Sequence, residues 1–398
     1  MTASSSLNLA VIGAGPVGLA LALHAARGLP QAQVTLFDAR PLDRDVSGDP
    51  RTLALSLGSV QLLKRLGAWD ATDAQPISEV HVSQAPPSLI TPFGEPEVRI
   101  RALDAAVPML GAVQRYGAVV APLQHAWLAE CARESGRLHS RFGHPVTALK
   151  EKPGGVEVEC GAAETFDLAV VAEGGVFAEQ ARKALTSPYG QTAWVGQVTL
   201  FGATPGLAIE RFTRHGPAAL LPLRPAPNGV ARAAVVWCVP TADDPVRELT
   251  DAQRVAVLNS IFPAVAGQVT GISPLKAFPL GLNAERTLVT GHRVRIGNAA
   301  QTLHPVAGQG LNLGLRDAYE LVDALRRSGS LDAALRRLEW RRAPDRWSMI
   351  AATDFLARSF TWKAPGLAEL RGLGLVALQL ASPLKSALAR QMMFGRRG

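Results

Sequence analysis

The chain has 398 residues, 47% hydrophobic and 19% charged, enough apolar content to bury a sizeable core and too ordered a composition for a disordered polymer. Its 41 basic and 33 acidic side chains leave a formal charge of +8, which suits nucleic acid, an anionic membrane surface or an anionic cofactor. No nucleic-acid module and few stacking aromatics accompany that charge, so no nucleic-acid partner is expected.

Residues 1–6 lack a basic leader, and the apolar run after them carries a glycine turn where a signal peptide has its cleavage site. No uninterrupted apolar stretch is long enough to span a bilayer. Cys131, Cys160 and Cys238 lie far apart, with no disulfide or metal spacing. His139 and His144 read as surface residues, and no metal is expected. A cytoplasmic protein with buried or idle thiols follows.

Leu7 to Ile12 reads as a buried parallel strand. Gly13-Ala14-Gly15-Pro16-Val17-Gly18 follows at once, then a helix from Leu19 to Ala26. A second strand, Val34 to Phe37, ends on Asp38, twenty residues after Gly18. This is the dinucleotide fingerprint in its required context. Gly13 permits the tight turn, Gly15 lets backbone meet a pyrophosphate, and Gly18 brings helix and strand close, with Asp38 accepting from ribose hydroxyls. The fingerprint alone leaves FAD and NAD both open.

Asp49 to Ser56 is followed by a helix over Gly58 to Leu66. Val80 to Ser83 reads as a strand, with a proline-broken hairpin to residue 100. Tyr116 to Val120 and a helix Leu123 to Arg133 come next. The alternation of Arg141 to Leu149 and Val156 to Cys160 predicts an antiparallel hairpin. Phe166 to Ala172 reads as one buried strand ending in Glu173-Gly174-Gly175. From 187 to 284 the pattern is β-rich: Tyr189 to Leu200, Ile209 to Thr213, Gly216 to Leu223 and Ala231 to Val239. Phe212, Leu220 and Trp237 read as core or as the lining of an apolar pocket. Val246 to Phe262 reads as a helix.

Arg295 to Gly314 begins as a buried strand, passes small residues to Pro305, turns on Gly308 and Gly310, and opens a helix near Asn312. Backbone N–H groups at such a helix start favour negative charge, and glycines let a ligand approach. Beyond it, Arg326, Arg327, Arg336, Arg337, Arg341, Arg342 and Arg346 read as a solvated helical face. The tail from Pro365, with Leu370, Leu373, Leu380, Leu384 and Met392 near Lys385 and Arg390, reads as a packing helix or an interfacial helix on anionic lipid.

The order Gly297-Asn298-Ala299-Ala300-Gln301-Thr302-Leu303-His304-Pro305, with Gly308-Gln309-Gly310, resembles the second flavin-contacting segment of the FAD-dependent aromatic-ring hydroxylases. Asn298 stands where most of that family has Asp, which keeps an oxygen acceptor and drops the charge. Together with the Gly13 fingerprint, this resembles the ubiquinone-biosynthesis hydroxylases acting on 2-polyprenyl-6-methoxyphenol, over nearly the whole chain. The resemblance implies an α/β fold: a Rossmann-like FAD domain (1–76, 101–186, 285–335), an inserted β-sheet substrate domain (77–100, 187–284) and a C-terminal helical region (336–398).

It implies FAD contacts from Gly13, Ala14, Gly15, Gly18, Asp38, Arg51, Gln124, Val146, Glu173, Asn298, Pro305, Gly308, Gln309, Gly310, Leu311 and Asn312. Gln124 is read equally as a plain polar residue at a helix start. Glu173 replaces the family's usual Asp and is one methylene longer. The implied reaction uses NADH or NADPH and O2, forms a flavin C4a-hydroperoxide, and hydroxylates a polyprenylated phenol in ubiquinone biosynthesis. Peripheral membrane contact and membership of a biosynthetic complex are implied partners. The alternatives are a flavin reductase or dehydrogenase of a prenyl substrate, and a non-catalytic flavoprotein scaffold. No catalytic side chain stands out; His304 reads as a loop residue bonded to backbone.

Overall fold

The structure, a computed structural model, describes residues 6–86, 95–172, 184–305, 308–359 and 366–396. Its helices are α1 Pro16–Gly28, α2 Leu57–Arg65, α3 Tyr116–Arg133, α4 Asp251–Ile261, α5 Gly310–Arg327, α6 Leu331–Ser359, α7 Leu367–Leu380 and α8 Ser382–Phe394.

Near-continuous runs of Leu, Val and Ile, with no polar alternation, form a parallel sheet covered on both faces. Its strands lie in the order Arg293–Arg295, Leu168–Val171, Asn8–Ile12, Gln33–Asp38 and Leu138–Phe142, with Val289–Thr290 antiparallel at the edge. Leu9 and Val11 face α1, α3 and α5. Ala10, Ile12 and Phe37 face a three-stranded antiparallel sheet through Val156, Val158 and Phe166. The period of two in side-chain direction divides the two layers.

The larger second sheet is mostly antiparallel. Its order is Gln301–Thr302, Lys276–Ala284, Leu185–Phe201, Ala231–Pro240, Gly216–Leu223, Leu207–Thr213, Glu79–Gln84 and Glu97–Arg101. Thus two residues of the Arg295-to-Gly314 stretch form the edge strand of this sheet. One face, carrying Ile209, Ala218, Leu220, Val235 and Trp237, packs on Val255 and Leu258 of α4. The opposite face carries Gln191, Ala193, Cys238, Ala219, Glu210 and Phe212, by register.

Several elements differ from expectation. Phe166 to Ala172 is two strands. Asp167 divides them: its carboxylate accepts from Asn8 N at 2.7 Å as the chain passes from one sheet to the next. Residues 116–133 form a single helix running through Pro122. The helix expected from Val246 starts at Asp251, because Thr250 caps it in a box with Gln253. Leu220 and Trp237 belong to the core beside α4, and of the three expected pocket residues only Phe212 points to the other face.

The arginine run is not wholly solvated. Arg342 and Arg346 are buried, and so are Asp317 and Asp345. Arg342 bonds Asp317 and Asp345, each at 2.7 Å, and Arg346 donates to Gln301 Oε1 at 2.7 Å. Arg316 reaches Asp345 at 3.4 Å and Met392 O at 2.7 Å, so the network latches α8 to α5 and α6. A charge run looks solvated in sequence because its carboxylate partners are supplied by other elements.

Candidate functional site

Gly13 sits at φ +103°, a conformation that favours glycine, and its N–H donates to Phe37 O at 2.8 Å. A Cβ on Gly18 would lie 1.9 Å from Gly13 O, so only glycine lets α1 lie this close to the turn. Gly15 is the N-cap of α1 and offers no side-chain cap; the nearest atom to a Cβ there is Tyr116 OH at 3.7 Å. The first turn of α1 therefore presents N–H groups to an open approach.

Asp38 is buried at the end of its strand. It accepts from Ala14 N at 2.5 Å and Arg40 N at 2.7 Å. Arg40 donates to Gln124 Oε1 at 3.0 Å and Ala14 O at 3.4 Å. Its Nη1 is buried without a partner among the described residues. Arg51 is exposed, pairs with Asp49 at 2.8 Å, and lies 4.0 Å from the centre of the Tyr116 ring. Tyr116 thus brings Arg51 to the Gly15 turn.

The second stretch meets the first directly. Gly297, at φ +58°, opens a short 3-10 turn, and its Cβ position lies 3.3 Å from Val17 in the first turn of α1. A Cβ on Gly314 of α5 would lie 2.7 Å from Val17 Cγ2 and 2.8 Å from Gly297 Cα. Two glycines nearly three hundred positions from the fingerprint therefore allow three segments to meet. Asn298 is exposed on that turn, and Pro305 is half-buried.

Gly308 is at φ +57°, and its N–H donates to Pro305 O at 2.9 Å. Buried Gln309 is the N-cap of α5, without a side-chain cap, and no described residue lies within 4 Å of a Cβ built on Gly310. Leu311 is half-buried and packs on the parallel-sheet core. The Asn312 amide is fully committed within the protein. Its Oδ1 accepts from Ser56 N and Ser59 Oγ, both at 2.8 Å, and its Nδ2 donates to Ala54 O at 3.1 Å and Gly308 O at 3.0 Å. Its side chain fixes the loop, leaving only its backbone for a ligand. Val146 is buried in the layer that holds Phe37, Ile12 and Ala299. Glu173 lies outside the described residues.

His304 has a long-range side-chain partner that its sequence context does not show. It is buried and its Nε2 pairs with the Gln191 side chain at 2.8 Å, across to the inner face of the large sheet. The Tyr189 ring stands edge-on at 5.3 Å. Desolvation lowers its pKa to about 4, so it is a neutral strut at physiological pH. Arg40, Tyr116 and Gln191 are the positions sequence reasoning missed; only Arg40, two residues past the fingerprint acid, carried a local signal.

Two helix N-termini without side-chain caps, a glycine-lined approach and an unpartnered guanidinium nitrogen suit an anionic dinucleotide carrying a flavin. A crevice lined by Leu200, Leu207, Leu220 and Ala233 lies on the α4 side and includes none of these residues.

The chain matches the family described as FAD binding domain over residues 6–339. It is 30% identical over 397 residues to 3-demethoxyubiquinol 3-hydroxylase of Escherichia coli (strain K12), covering 95% of this chain and 96% of that one. It is 29% identical over 416 residues to ubiquinone hydroxylase UbiL of Rhodospirillum rubrum, covering 98% and 90%. Klebsiella pneumoniae HpxO, solved with FAD and uric acid, superposes with a TM-score of 0.72 at 17% identity over 98% of both chains, a likeness of fold.

Proposed function

This chain belongs to the FAD binding domain family, as an FAD-dependent monooxygenase, and from that premise we propose that it hydroxylates the ring of a polyprenylated phenol in ubiquinone biosynthesis, a 2-polyprenyl-6-methoxyphenol or close relative. The observation that carries this reading is the joining of the two distant stretches at Gly297, Val17 and Gly314, with His304 tying them to an inner sheet face built largely of apolar residues.

In this reading the α1 N-terminus holds the pyrophosphate, and Asp38 the ribose. Arg40 and Gln124 close the nucleotide side, and Val146 backs the adenine. Asn298 meets the ribityl chain, and Pro305 with Gly308 to Asn312 borders the ring system. Arg51 approaches the flavin from the Tyr116 side. Bound FAD supplies the reduction of dioxygen, at the expense of NADH or NADPH, and delivery of one oxygen atom. The protein's own work is to hold the phenol ring against that edge and exclude water. Ala193, Ala219 and Phe212 present little polar surface to the ring and its prenyl tail.

The apolar faces of α7 and α8 extend the proposal to a cytoplasmic protein held at the membrane surface. Leu370, Leu373, Leu380 and Leu384 are all more than half exposed, with Lys385 and Arg390 on α8. No single described helix is long and apolar enough to cross a bilayer; residues 369–380 and 382–394 pass that test only as a pair bent by 96°.

The test is product identification. Purified enzyme, FAD, NAD(P)H, a prenylated methoxyphenol and ¹⁸O-labelled dioxygen are expected to give a product carrying one labelled hydroxyl. NAD(P)H oxidation with unlabelled or saturated product would overturn hydroxylation.

A further inference from the structure

Glu210 lies in the strand Leu207–Thr213, opposite Ala219 on one side and Val82 on the other. The register sets its side chain on the inner face of the large sheet, with Phe212, Cys238, Ala193 and Gln191. Gln191 holds His304 of the flavin-side loop at 2.8 Å, so this is the face turned toward the proposed flavin ring. The edges of the face are covered: Phe212 packs on Leu356 of α6, and Ala208 joins a cluster with Leu57, Val113 and Met393. Glu210 stands between those covered regions.

Its carboxylate makes no hydrogen bond and no ion pair with any described residue. Neighbouring Arg211 points to the opposite face and is spent on Glu95, Ser83 and Ile261 O. Glu210 is half-buried on this face. A carboxylate in such a place costs stability unless a ligand or a proton satisfies it.

We propose that Glu210 is the catalytic base that accepts the phenolic proton of the substrate. This rests on the phenol-hydroxylase reading above. The proton passes from the phenol oxygen to the carboxylate as the ring's electron pair forms the new bond to one atom of dioxygen; the bond between the two oxygen atoms breaks, and NAD(P)H supplies the two electrons that take the second atom to water. The resulting ring ketone takes a proton back from Glu210 while the hydroxylated carbon loses its own hydrogen as H⁺ to solvent. Glu210 ends as it began, and dioxygen and NAD(P)H remain the oxidant and reductant.

Burial supports the assignment by pushing the Glu210 pKa up to about 8. Proton transfer from a phenol near ~10 to an ordinary carboxylate near ~4.3 is unfavourable by about six powers of ten; to a group near 8 it is unfavourable by about two. Burial pushes the Cys238 and Tyr189 pKa values up, and desolvation lowers His304 to about 4. Lys276, opposite Val195, is exposed at the far edge.

The experiment compares wild-type holoenzyme with Glu210→Gln and Glu210→Asp from pH 6 to 10, using a prenylated methoxyphenol. Wild-type kcat/KM is expected to rise about tenfold per pH unit and level near pH 8. Glu210→Gln is expected to lose that limb and about 10²- to 10⁴-fold in kcat, with NAD(P)H oxidation diverted to peroxide. Glu210→Asp is expected to keep the limb at reduced rate. A second readout needs no turnover: the phenolate absorbance of the phenol bound to oxidised enzyme should shift to lower pH in Glu210→Gln, because the carboxylate that opposes a second negative charge beside it is gone. A Gln variant within threefold of wild type, with the same limb and the same bound-phenol titration, would overturn the proposal. A wild-type enzyme that never hydroxylates the phenol would instead refute the function, and the binding titration would still decide the role of Glu210.

Discussion

Gly314→Ala is the sharpest test of how the two stretches meet. The added methyl would lie 2.7 Å from Val17 Cγ2 and 2.8 Å from Gly297 Cα. Carbon atoms pack at about 3.5–4.0 Å, so the helix or the 3-10 turn must move by about 1 Å. Such overpacking costs about 1–3 kcal/mol, partly offset by about 1 kcal/mol of helix propensity gained on replacing glycine. Net destabilisation of up to about 2 kcal/mol is expected. The displacement falls between the α1 N-terminus and Asn298, so FAD affinity should weaken by about 10- to 100-fold. The assay is reconstitution of apoprotein with FAD followed by flavin fluorescence, with a thermal melt alongside. Gly374→Ala in α7 is the control: no described residue lies within 4 Å of its Cβ position, and helix propensity alone should stabilise it. Gly314→Ala protein that binds FAD as wild type does, and melts higher as the control does, would refute the packing argument.

Three further outcomes are expected. Asn312→Ala strands Ser56 N, Ala54 O and Gly308 O, and should cost about 1–3 kcal/mol by chemical denaturation, with looser FAD binding. Arg342→Met leaves buried Asp317 and Asp345 short of their cation, and should cost about 3–5 kcal/mol; unchanged stability would mean that the pair is not buried in solution. His304, whose pKa falls from 6.5 to about 4 on folding, stays neutral while the unfolded chain binds a proton. Its contribution is therefore fully present above pH 6.5 and lost as pH falls toward 4, about 3 kcal/mol in all. Denaturation of wild type and His304→Asn across that window should converge at low pH, and parallel curves would contradict it.

The fingerprint from Gly13 to Asp38 is legible in sequence because each glycine answers a constraint set by residues within thirty positions. The strand Gly216–Leu223 is legible at its observed bounds for a similar local reason, since Gly and Pro punctuate its start. What is not legible depends on partners distant in the chain. Gly297 and Gly314 look like ordinary loop and helix glycines until Val17 is placed beside them. Arg342 and Arg346 look solvated until Asp317 and Gln301 enclose them. Glu210 and Arg211 are adjacent and opposite in charge, which suggests a mutual pair, yet strand alternation sends them to opposite faces. That separation leaves Glu210 without a protein partner among the described residues.

The most direct measurement is a crystal structure of the purified protein with FAD and a prenylated phenol. The pyrophosphate should lie on the N-terminus of α1 and the ribityl chain beside Asn298. The ring system should lie along Pro305 and Gly308, with the phenol oxygen within hydrogen-bond reach of Glu210. A flavin bound away from the Gly297–Val17–Gly314 junction, or turned from the inner face of the large sheet, would contradict the account.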